Sequence, residues 1–192
     1  MQDISMHILD IALNSIDAGA SRIVISIEED TRGDILRLTI KDNGIGMDKE
    51  TLKRLTDPFF TTKGKKTGLG ISLLAQAARE TGGNITVHSE TGNGTTLQAT
   101  FSLGHIDRKP LGDLTSTIVA LIAGNPDIDL IFKYRIDNNE YILNTAEIKR
   151  QLGEVPINCP GALSVLRKDI SEGIKNLRKG GKHEQGEGSC NR

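Results

Sequence analysis

Four short islands of glycine and polar residues interrupt the apolar patterning of the first hundred residues, and each lies at the edge of a predicted helix or strand. They begin at His7 (HILDIALNSIDAGA), Asp42 (DNGIGM), Asp57 (DPFFTTKGKKTGLGIS) and Gly92 (GNGTT). Glycine permits positive φ angles and close backbone approach, so its clustering indicates tight turns or contact with a ligand. Before the polar C-terminal tail, no other part of the sequence concentrates so much glycine and functional polarity. We therefore expect the fold to bring the islands together around one pocket.

The apolar residues between the islands show both helical and strand periodicity. Residues 3–18 carry apolar side chains at helical spacing, and Gly19 ends this helix. Period-two alternation predicts a hairpin and, later, two further strands. The predicted strands cover residues 21–29, 35–42, 84–90 and 95–103, and the predicted short helices cover residues 49–55 and 69–81. Asp48 is expected to cap the helix that follows it, and residues 57–67, which lack periodicity, are expected to form a mobile loop.

A second pattern begins after residues 105–111 and predicts a small C-terminal α/β appendage. Its predicted helices cover residues 112–123, a segment starting near Thr145, and residues 160–179, and its strands IDLIFKYRI and EYILNT flank an Asp137-Asn138-Asn139 turn. The polar, glycine-rich end of the chain is typical of a flexible tail. The expected organisation is one domain over residues 1–104, a small α/β domain over residues 110–179 and a tail over residues 180–192.

The composition is that of an ordinary globular protein and argues against several functions. Hydrophobic residues make up 36% of the 192 residues and the formal net charge is −1, so no overall field attracts DNA, RNA or anionic membrane. Aromatic residues make up only 3%, which disfavours stacking on single-stranded nucleic acid. Neither an apolar run of about 18 residues nor a signal-peptide pattern is present. We expect a cytoplasmic protein that binds neither nucleic acid nor membrane.

The two cysteines do not indicate a structural centre. Cys159 and Cys190 lie far apart, which predicts neither a disulfide framework nor a zinc site. At Cys159-Pro160-Gly161, a turn is favoured over a reactive thiol or a metal contact.

The first island places polar residues on one side of the predicted opening helix. At 100° per residue, four polar side chains fall within about a quarter of the helix circumference: His7, Asp10, Asn14 and Asp17. A stripe facing solvent would explain this, but it contains no Lys, Arg or Glu, and short Asp and Asn side chains are poor helix formers. A magnesium site explains it as well, because Mg²⁺ prefers hard oxygen ligands and takes few from protein. Asn14 would be such a ligand, and Asp10 would orient a water or accept a proton.

The second and third islands place glycines where a nucleotide would meet the backbone. Gly44 and Gly46 follow a predicted strand; a plain turn needs only one of them, and the second favours contact with a ligand. Residues 67–70 (TGLG) begin a predicted helix, whose free N–H groups and positive dipole end suit phosphate. Helix capping beside solvated lysines explains that island equally well. Neither a GxxxxGK(S/T) phosphate loop nor a strand–GxGxxG–helix unit is present.

The order and content of the four islands resemble the GHKL ATPase superfamily, which includes sensor histidine kinases, anti-sigma serine kinases, gyrase-type topoisomerases, heat-shock chaperones and mismatch-repair ATPases. The resemblance covers about residues 3–103. PFFTTK with TGLG is most like the histidine kinases, and NSIDAGASRIVISI is most like the mismatch-repair ATPases. It implies a two-layer α/β sandwich of the Bergerat type, with one mixed sheet covered by helices on one face, and it implies ATP and Mg²⁺ as cofactors.

The resemblance also implies roles for individual residues. Asn14 matches the Mg²⁺ ligand, and Asp42 matches the aspartate that accepts a hydrogen bond from the adenine amino group. Gly44 and Gly46 match the loop beneath the adenine. The other matches are the aromatic residues at the base of the ATP lid (Phe59, Phe60), a phosphate contact (Lys63), the phosphate-side segment (Thr67, Gly68, Leu69, Gly70) and the hydroxyl behind the adenine (Thr95 or Thr96).

Two departures from the family pattern bear on the chemistry. Asp10 stands where many hydrolytic members and the anti-sigma kinases carry Glu, so any role as a base falls to a side chain one methylene shorter. The sequence starts directly at the opening helix, so we expect no helical hairpin with a phospho-accepting His. His7 itself is expected to be a polar residue at the pocket rim.

Three functions remain open at this point. The lid sequence favours a stand-alone kinase module that acts on a separate protein. One alternative is an ATPase switch of the mismatch-repair or chaperone kind, although about 90 residues are few for the usual domain that follows the ATPase domain. The other is a nucleotide-gated, anti-sigma-like binding module with little catalysis. The expected partners are ATP and an unidentified protein partner or substrate, and a homodimer stays open.

Overall fold

The computed structural model describes residues 3–54 and 69–180. Along these ranges the elements are α1 (Ile4–Asp17), β1 (Arg22–Asp30), β2 (Ile35–Asp42), α2 (Lys49–Arg54), α3 (Leu69–Glu80), β3 (Ile85–Ser89), β4 (Thr95–Ser102), α4 (Leu114–Gly124), β5 (Asp129–Ile136), β6 (Asn139–Asn144), α5 (Thr145–Leu152) and α6 (Pro160–Gly180). The loop predicted over residues 57–67 and the tail beyond residue 180 lie outside the described residues. Within the two described ranges, no helix is long and apolar enough to cross a membrane.

One sheet of six strands forms the centre of the fold, in the order β3-β4-β2-β1-β5-β6. β1 and β2 form the predicted hairpin, and β4 and β3 continue the sheet beside β2, all antiparallel. On the other side of β1, β5 runs parallel to it, from the pair Arg22–Asp129 to the pair Glu29–Ile136, and β6 is antiparallel to β5. The sheet is therefore mixed, which confirms the predicted fold class.

Strand alternation collects the apolar side chains on one face of this sheet. On β1, Ile23, Ile25 and Ile27 are at most 1% exposed, whereas the residues between them are half-buried. The register places Ile25 beside Ile40 of β2 and Phe132 of β5, so the buried side chains form continuous rows across the strands. Helices α1, α3, α4 and α6 contribute the other side of this core. Each fully buried aliphatic side chain contributes about 1.5–3 kcal/mol to folding.

The C-terminal region adds to this sheet instead of forming a sheet of its own. Its predicted helices and strands are present, but β5 pairs along the edge of β1, and Leu130, Phe132 and Tyr134 continue the buried face. The physical reason is that β1 pairs with β2 on one side only, which leaves a row of N–H and C=O groups that need partners on the other. The expected appendage and the first domain therefore share one sheet and one core.

Helix α6 is joined to the outer strand β6 by one glycine and one tyrosine. Gly173 lies so close to the ring of Tyr141 that a Cβ at this position would overlap it. The Tyr141 hydroxyl donates to the Asp169 carboxylate (2.6 Å), one turn earlier in α6. The same ring packs edge-on against Phe132, with 6.3 Å between the ring centroids. Tyr141 thus links α6 to the sheet by packing and by a hydrogen bond.

Replacing Gly173 with Ala is expected to lower the free energy of unfolding by about 1–3 kcal/mol, because the added methyl group must displace the Tyr141 ring. Gly161→Ala is the matched control, since Gly161 lies in the same helix and nothing lies within 4 Å of its Cβ position. Alanine there is expected to be neutral or slightly stabilising. Urea unfolding measures both variants, and equal stabilities would contradict this packing.

Candidate functional site

A buried carboxylate at the end of β2 is the centre of the candidate site. Asp42 is 8% exposed. Its Oδ1 accepts hydrogen bonds from the backbone N–H groups of Gly44 (2.9 Å) and Thr95 (3.1 Å), and its Oδ2 accepts one from the Ser15 hydroxyl (2.7 Å). A carboxylate offers about four acceptor positions, so the described residues leave one position on Oδ2 without a donor. The three donors come from α1, from the turn after β2 and from the start of β4, and together they fix the carboxylate.

Three glycines allow the backbone around Asp42 to pack closely. A Cβ on Gly44 would lie 2.8 Å from a carbonyl oxygen at the end of α1. Gly46 (φ +67°) and Gly94 (φ +78°) adopt left-handed backbone conformations, and a Cβ on them would overlap the carbonyl oxygens of Glu90 and Asp42, respectively. The glycines of the second and fourth islands therefore let two turns and one helix end meet.

Ile45 lies between Gly44 and Gly46 in the segment that follows Asp42. Its backbone is held on both sides: its N–H donates to the Ala18 carbonyl (3.0 Å), and its own carbonyl accepts from the Gly92 N–H (2.7 Å). The side chain is 68% exposed. A rigid backbone with an exposed apolar side chain offers a contact surface for the flat face of a ligand ring.

Helix α1 exposes only part of its predicted polar stripe. Asn14 and Asp17 are exposed and Asp10 is half-buried. His7 is 2% exposed, so the expectation that it lies at the pocket rim is wrong. Helix α3 packs against α1, and its Gly70 lies against Asp10, one turn after His7.

The start of α3 lies directly against this stripe. Gly70 is buried, and a Cβ on it would overlap Oδ2 of Asp10. Burial, the larger effect, lowers the pKa of the His7 imidazole, although the Gly70 backbone raises it. The structure therefore brings Asp10 to the N-terminal end of α3, where phosphate binding was predicted, and Leu69 begins that helix. Five other predicted residues of this region lie outside the described residues: Phe59, Phe60, Lys63, Thr67 and Gly68.

Of the two candidate threonines, Thr95 lies beside Asp42. Its Oγ1 is 2.9 Å from the Ser89 hydroxyl. Because Ser89 donates its own proton to the Gly94 carbonyl (2.9 Å), Thr95 is the donor in this pair. Thr96 lies on the opposite face of the sheet, since successive residues of a strand alternate. The adjoining threonines therefore have different surroundings, and only Thr95 contacts the buried carboxylate.

Ser15 was not predicted from the sequence, although a signal for it exists. Buried positions along α1 recur as Ile4, Ile8, Ile11 and Ser15, so a hydroxyl occupies a place where helical periodicity favours an apolar side chain. Buried polar side chains need hydrogen-bond partners.

Asp48 caps α2 as predicted, because its carboxylate accepts hydrogen bonds from the N–H groups of the first helical turn.

Known proteins are similar in sequence to the first part of this chain. Residues 2–105 match the family model described as histidine kinase-, DNA gyrase B- and HSP90-like ATPase. Sporulation kinase E of Bacillus subtilis is 36% identical over 101 residues, which cover 53% of this chain and 13% of that protein. Sensor protein kinase FleS of Pseudomonas aeruginosa is 40% identical over 104 residues, which cover 54% of this chain and 25% of that protein. The chain thus spans a quarter or less of the length of these relatives.

A solved structure extends the likeness in fold beyond the first hundred residues. The N-terminal domain of a DNA repair protein aligns with a TM-score of 0.55 at 16% identity, covering 89% of this chain and 56% of that one. Because the family model matches only residues 2–105, this likeness includes much of the C-terminal region. A fold in which that region accompanies the ATPase-like part therefore exists elsewhere.

Replacing Ser15 with Ala is expected to lower the free energy of unfolding by about 1–3 kcal/mol, because the buried Asp42 carboxylate loses a donor. Ser26→Ala, on the half-buried opposite face of β1, is the control and is expected to change stability by about 0.5 kcal/mol or less. Chemical denaturation followed by circular dichroism compares the two. If Ser15→Ala costs no more than Ser26→Ala, the hydrogen bond does not stabilise the site.

Proposed function

Because the chain belongs to the family of histidine kinase-, DNA gyrase B- and HSP90-like ATPases, we propose that it binds ATP with Mg²⁺ and acts as a regulatory protein kinase module on a separate partner protein. The observation that carries this proposal is the Asp42 carboxylate, which three donors hold in place while the described residues leave one of its acceptor positions available. The names of the two relatives, both kinases, support the choice of reaction.

Asp42 recognises the adenine base. The exocyclic amino group of adenine supplies the N–H donor that the remaining acceptor position of Asp42 requires. Ser15 and Thr95 already orient the carboxylate, so little reorganisation accompanies binding. Guanine presents a carbonyl oxygen at the equivalent ring position, which would face the carboxylate without a proton between them. The geometry therefore favours adenine, and Ile45 contributes apolar contact to the ring.

The phosphates lie at the N-terminal end of α3. Its first turn offers backbone N–H groups and the positive end of the helix dipole. Asn14, exposed on the neighbouring helix α1, carries an amide oxygen suitable for Mg²⁺. In residues 3–54 and 69–180, no group of three or more His, Cys, Asp or Glu is placed to hold a metal, which fits an ion that takes few protein ligands and completes its shell with phosphate and water. When bound, Mg²⁺ neutralises phosphate charge during transfer.

Asp10 is placed to handle a proton. Its carboxylate lies against Gly70 at the phosphate end of the site. There it accepts the proton of an attacking group on the partner protein, while the γ-phosphoryl group moves to that group and ADP leaves. Phosphoryl transfer depends mainly on positioning and charge stabilisation, which α1 and α3 supply together.

An ATPase switch is the second candidate function. It is favoured by the C-terminal strands that continue the sheet and by the likeness to the N-terminal domain of a DNA repair protein over 89% of this chain. The kinase relatives match only about half of it. Incubation with γ-labelled ATP separates the two functions: label on an added partner protein indicates a kinase, and steady phosphate release without an acceptor indicates an ATPase.

Asp42→Asn is expected to weaken Mg-ATP binding about 10- to 100-fold, because a charge-assisted hydrogen bond to the base is lost. Isothermal titration calorimetry measures the affinity. Asp107→Asn is the control, since that side chain is 73% exposed in the segment after β4. Unchanged affinity in Asp42→Asn would refute adenine recognition by this carboxylate.

Asp10→Asn is expected to keep Mg-ATP affinity within about threefold and to lower the rate of phosphoryl transfer or hydrolysis about 10²- to 10⁴-fold, the usual contribution of a general base. Asp17→Asn, two turns further along α1 and exposed, serves as the control. Single-turnover assays measure the chemical step. A full rate in Asp10→Asn would exclude Asp10 as the base.

A further inference from the structure

Ser89, at the end of β3, lies outside the four islands, and the proposed ligand contacts do not use it. Its Oγ takes part in three hydrogen bonds. The backbone N–H of Met47 donates to this oxygen (2.9 Å), and the hydroxyl donates its one proton to the carbonyl oxygen of Gly94 (2.9 Å). The third partner, Oγ1 of Thr95 at 2.9 Å, must therefore be the donor. The direction of every bond at Ser89 is thus fixed by the chemistry of its partners.

These bonds join the two turns that lie around the Asp42 carboxylate. Met47 lies in the turn after β2, and Gly94 lies in the turn between β3 and β4. The second turn packs tightly, because a Cβ on Gly94 would overlap the backbone carbonyl oxygen of Asp42. Thr95, the next residue, donates its backbone N–H to Oδ1 of Asp42 (3.1 Å). One serine hydroxyl therefore connects both turns with the threonine beside the carboxylate.

The direction of the bond between Thr95 and Ser89 determines what Thr95 offers to a ligand. A hydroxyl group has one proton and two lone pairs, and the proton of Thr95 is directed at Ser89. A ligand or water that contacts Oγ1 of Thr95 must therefore supply the proton of that hydrogen bond. The carboxylate of Asp42 also only accepts. These two neighbouring groups are thus complementary to a base that presents N–H donors.

We infer that Ser89 is a positioning residue that sets the specificity for the base: by accepting the Thr95 proton, it keeps the Thr95 oxygen an acceptor on the ligand side. Its bonds to Met47 and Gly94 hold the turns around Asp42 in place at the same time. The inference rests on the proposed function, because it matters only if Asp42 binds the amino group of adenine. Without the Ser89 hydroxyl, the Thr95 proton is free to turn toward the ligand, and the preference for a donor on the base decreases.

The affinity ratio between Mg-ATP and Mg-purine riboside triphosphate, which lacks the exocyclic amino group, measures this preference. The unmodified protein is expected to bind ATP about 10- to 100-fold more tightly, the effect of one hydrogen bond to a charged group. In Ser89→Ala the ratio is expected to fall about 3- to 10-fold, the effect of one neutral hydrogen bond. Ser102→Ala is the matched control, because that serine ends β4 and its hydroxyl donates to the Asp34 carboxylate (2.6 Å). Its ratio is expected to stay within about twofold of the unmodified protein.

A double-mutant cycle tests whether Ser89 acts through Thr95. Thr95→Val keeps the shape of the side chain but removes the hydroxyl, and it is expected to lower the ratio about 3- to 10-fold. Adding Ser89→Ala to Thr95→Val is expected to change the ratio by less than about twofold, since the group through which Ser89 acts is already absent. Calorimetry gives the affinities, and thermal unfolding checks that each variant is folded. If Ser89→Ala does not fold, Thr95→Val alone decides, because it leaves the other two bonds of Ser89 in place.

The outcomes separate positioning from a purely structural role. A lower ratio in Ser89→Ala, with little further change in the double variant, supports the inference. Equal losses of affinity for ATP and the analogue in Ser89→Ala would overturn it, and so would effects of the two substitutions that multiply or an unchanged ratio in Thr95→Val. Failure of the unmodified protein to bind Mg-ATP, or equal affinities of that protein for ATP and the analogue, would instead overturn the proposed recognition of adenine.

Discussion

One buried carboxylate connects segments that lie far apart in the sequence. Asp42 takes hydrogen bonds from α1 through Ser15, from the following turn through Gly44 and from the start of β4 through Thr95. A buried charge without partners would be strongly unfavourable, so the fold keeps these donors around it. The requirement to satisfy the carboxylate therefore holds these three segments together, and within the described residues it leaves one acceptor position of Asp42 without a donor.

The sheet extends on the side of β1 away from this pocket. β5 runs parallel to β1, and parallel neighbours need a crossover connection. Here the chain passes through β2, α2, α3, β3, β4 and α4 before it returns to the sheet as β5. The helices of the C-terminal region then cover the extension: α4 packs on α1, and α6 packs on α4 and β6. The C-terminal region is thus attached through backbone hydrogen bonds and a common core, not through a linker.

Local sequence patterns predicted the helices and strands well, but they did not predict which distant strands pair in the sheet. β2 covers residues 35–42 as expected, because alternation reports which residues share a face. The same alternation in β5 shows that one face is buried, but it does not identify β1 as the neighbour. The position of His7 was predicted wrongly because a helical wheel shows on which side of the helix a residue lies. It does not show whether a neighbouring helix covers that side. The alternation of side chains along a strand distinguishes Thr95 from Thr96, because Thr95 lies on the same face of the sheet as the buried Leu97. The roles of Phe59, Lys63 and Gly68 stay predictions.

Helix α1 contacts Asp42, the start of α3 and the segment that leads into α4. Near its C-terminal end, Ser15 supports Asp42, and in its middle, Asp10 borders the start of α3. At its N-terminal end, the otherwise unpaired N–H groups of Ile4 and Ser5 donate to the carbonyls of Pro110 and Leu111 (2.9 Å each), which lead into α4. The 14-residue helix α1 thus contacts both the proposed nucleotide site and the segment that leads into the C-terminal region.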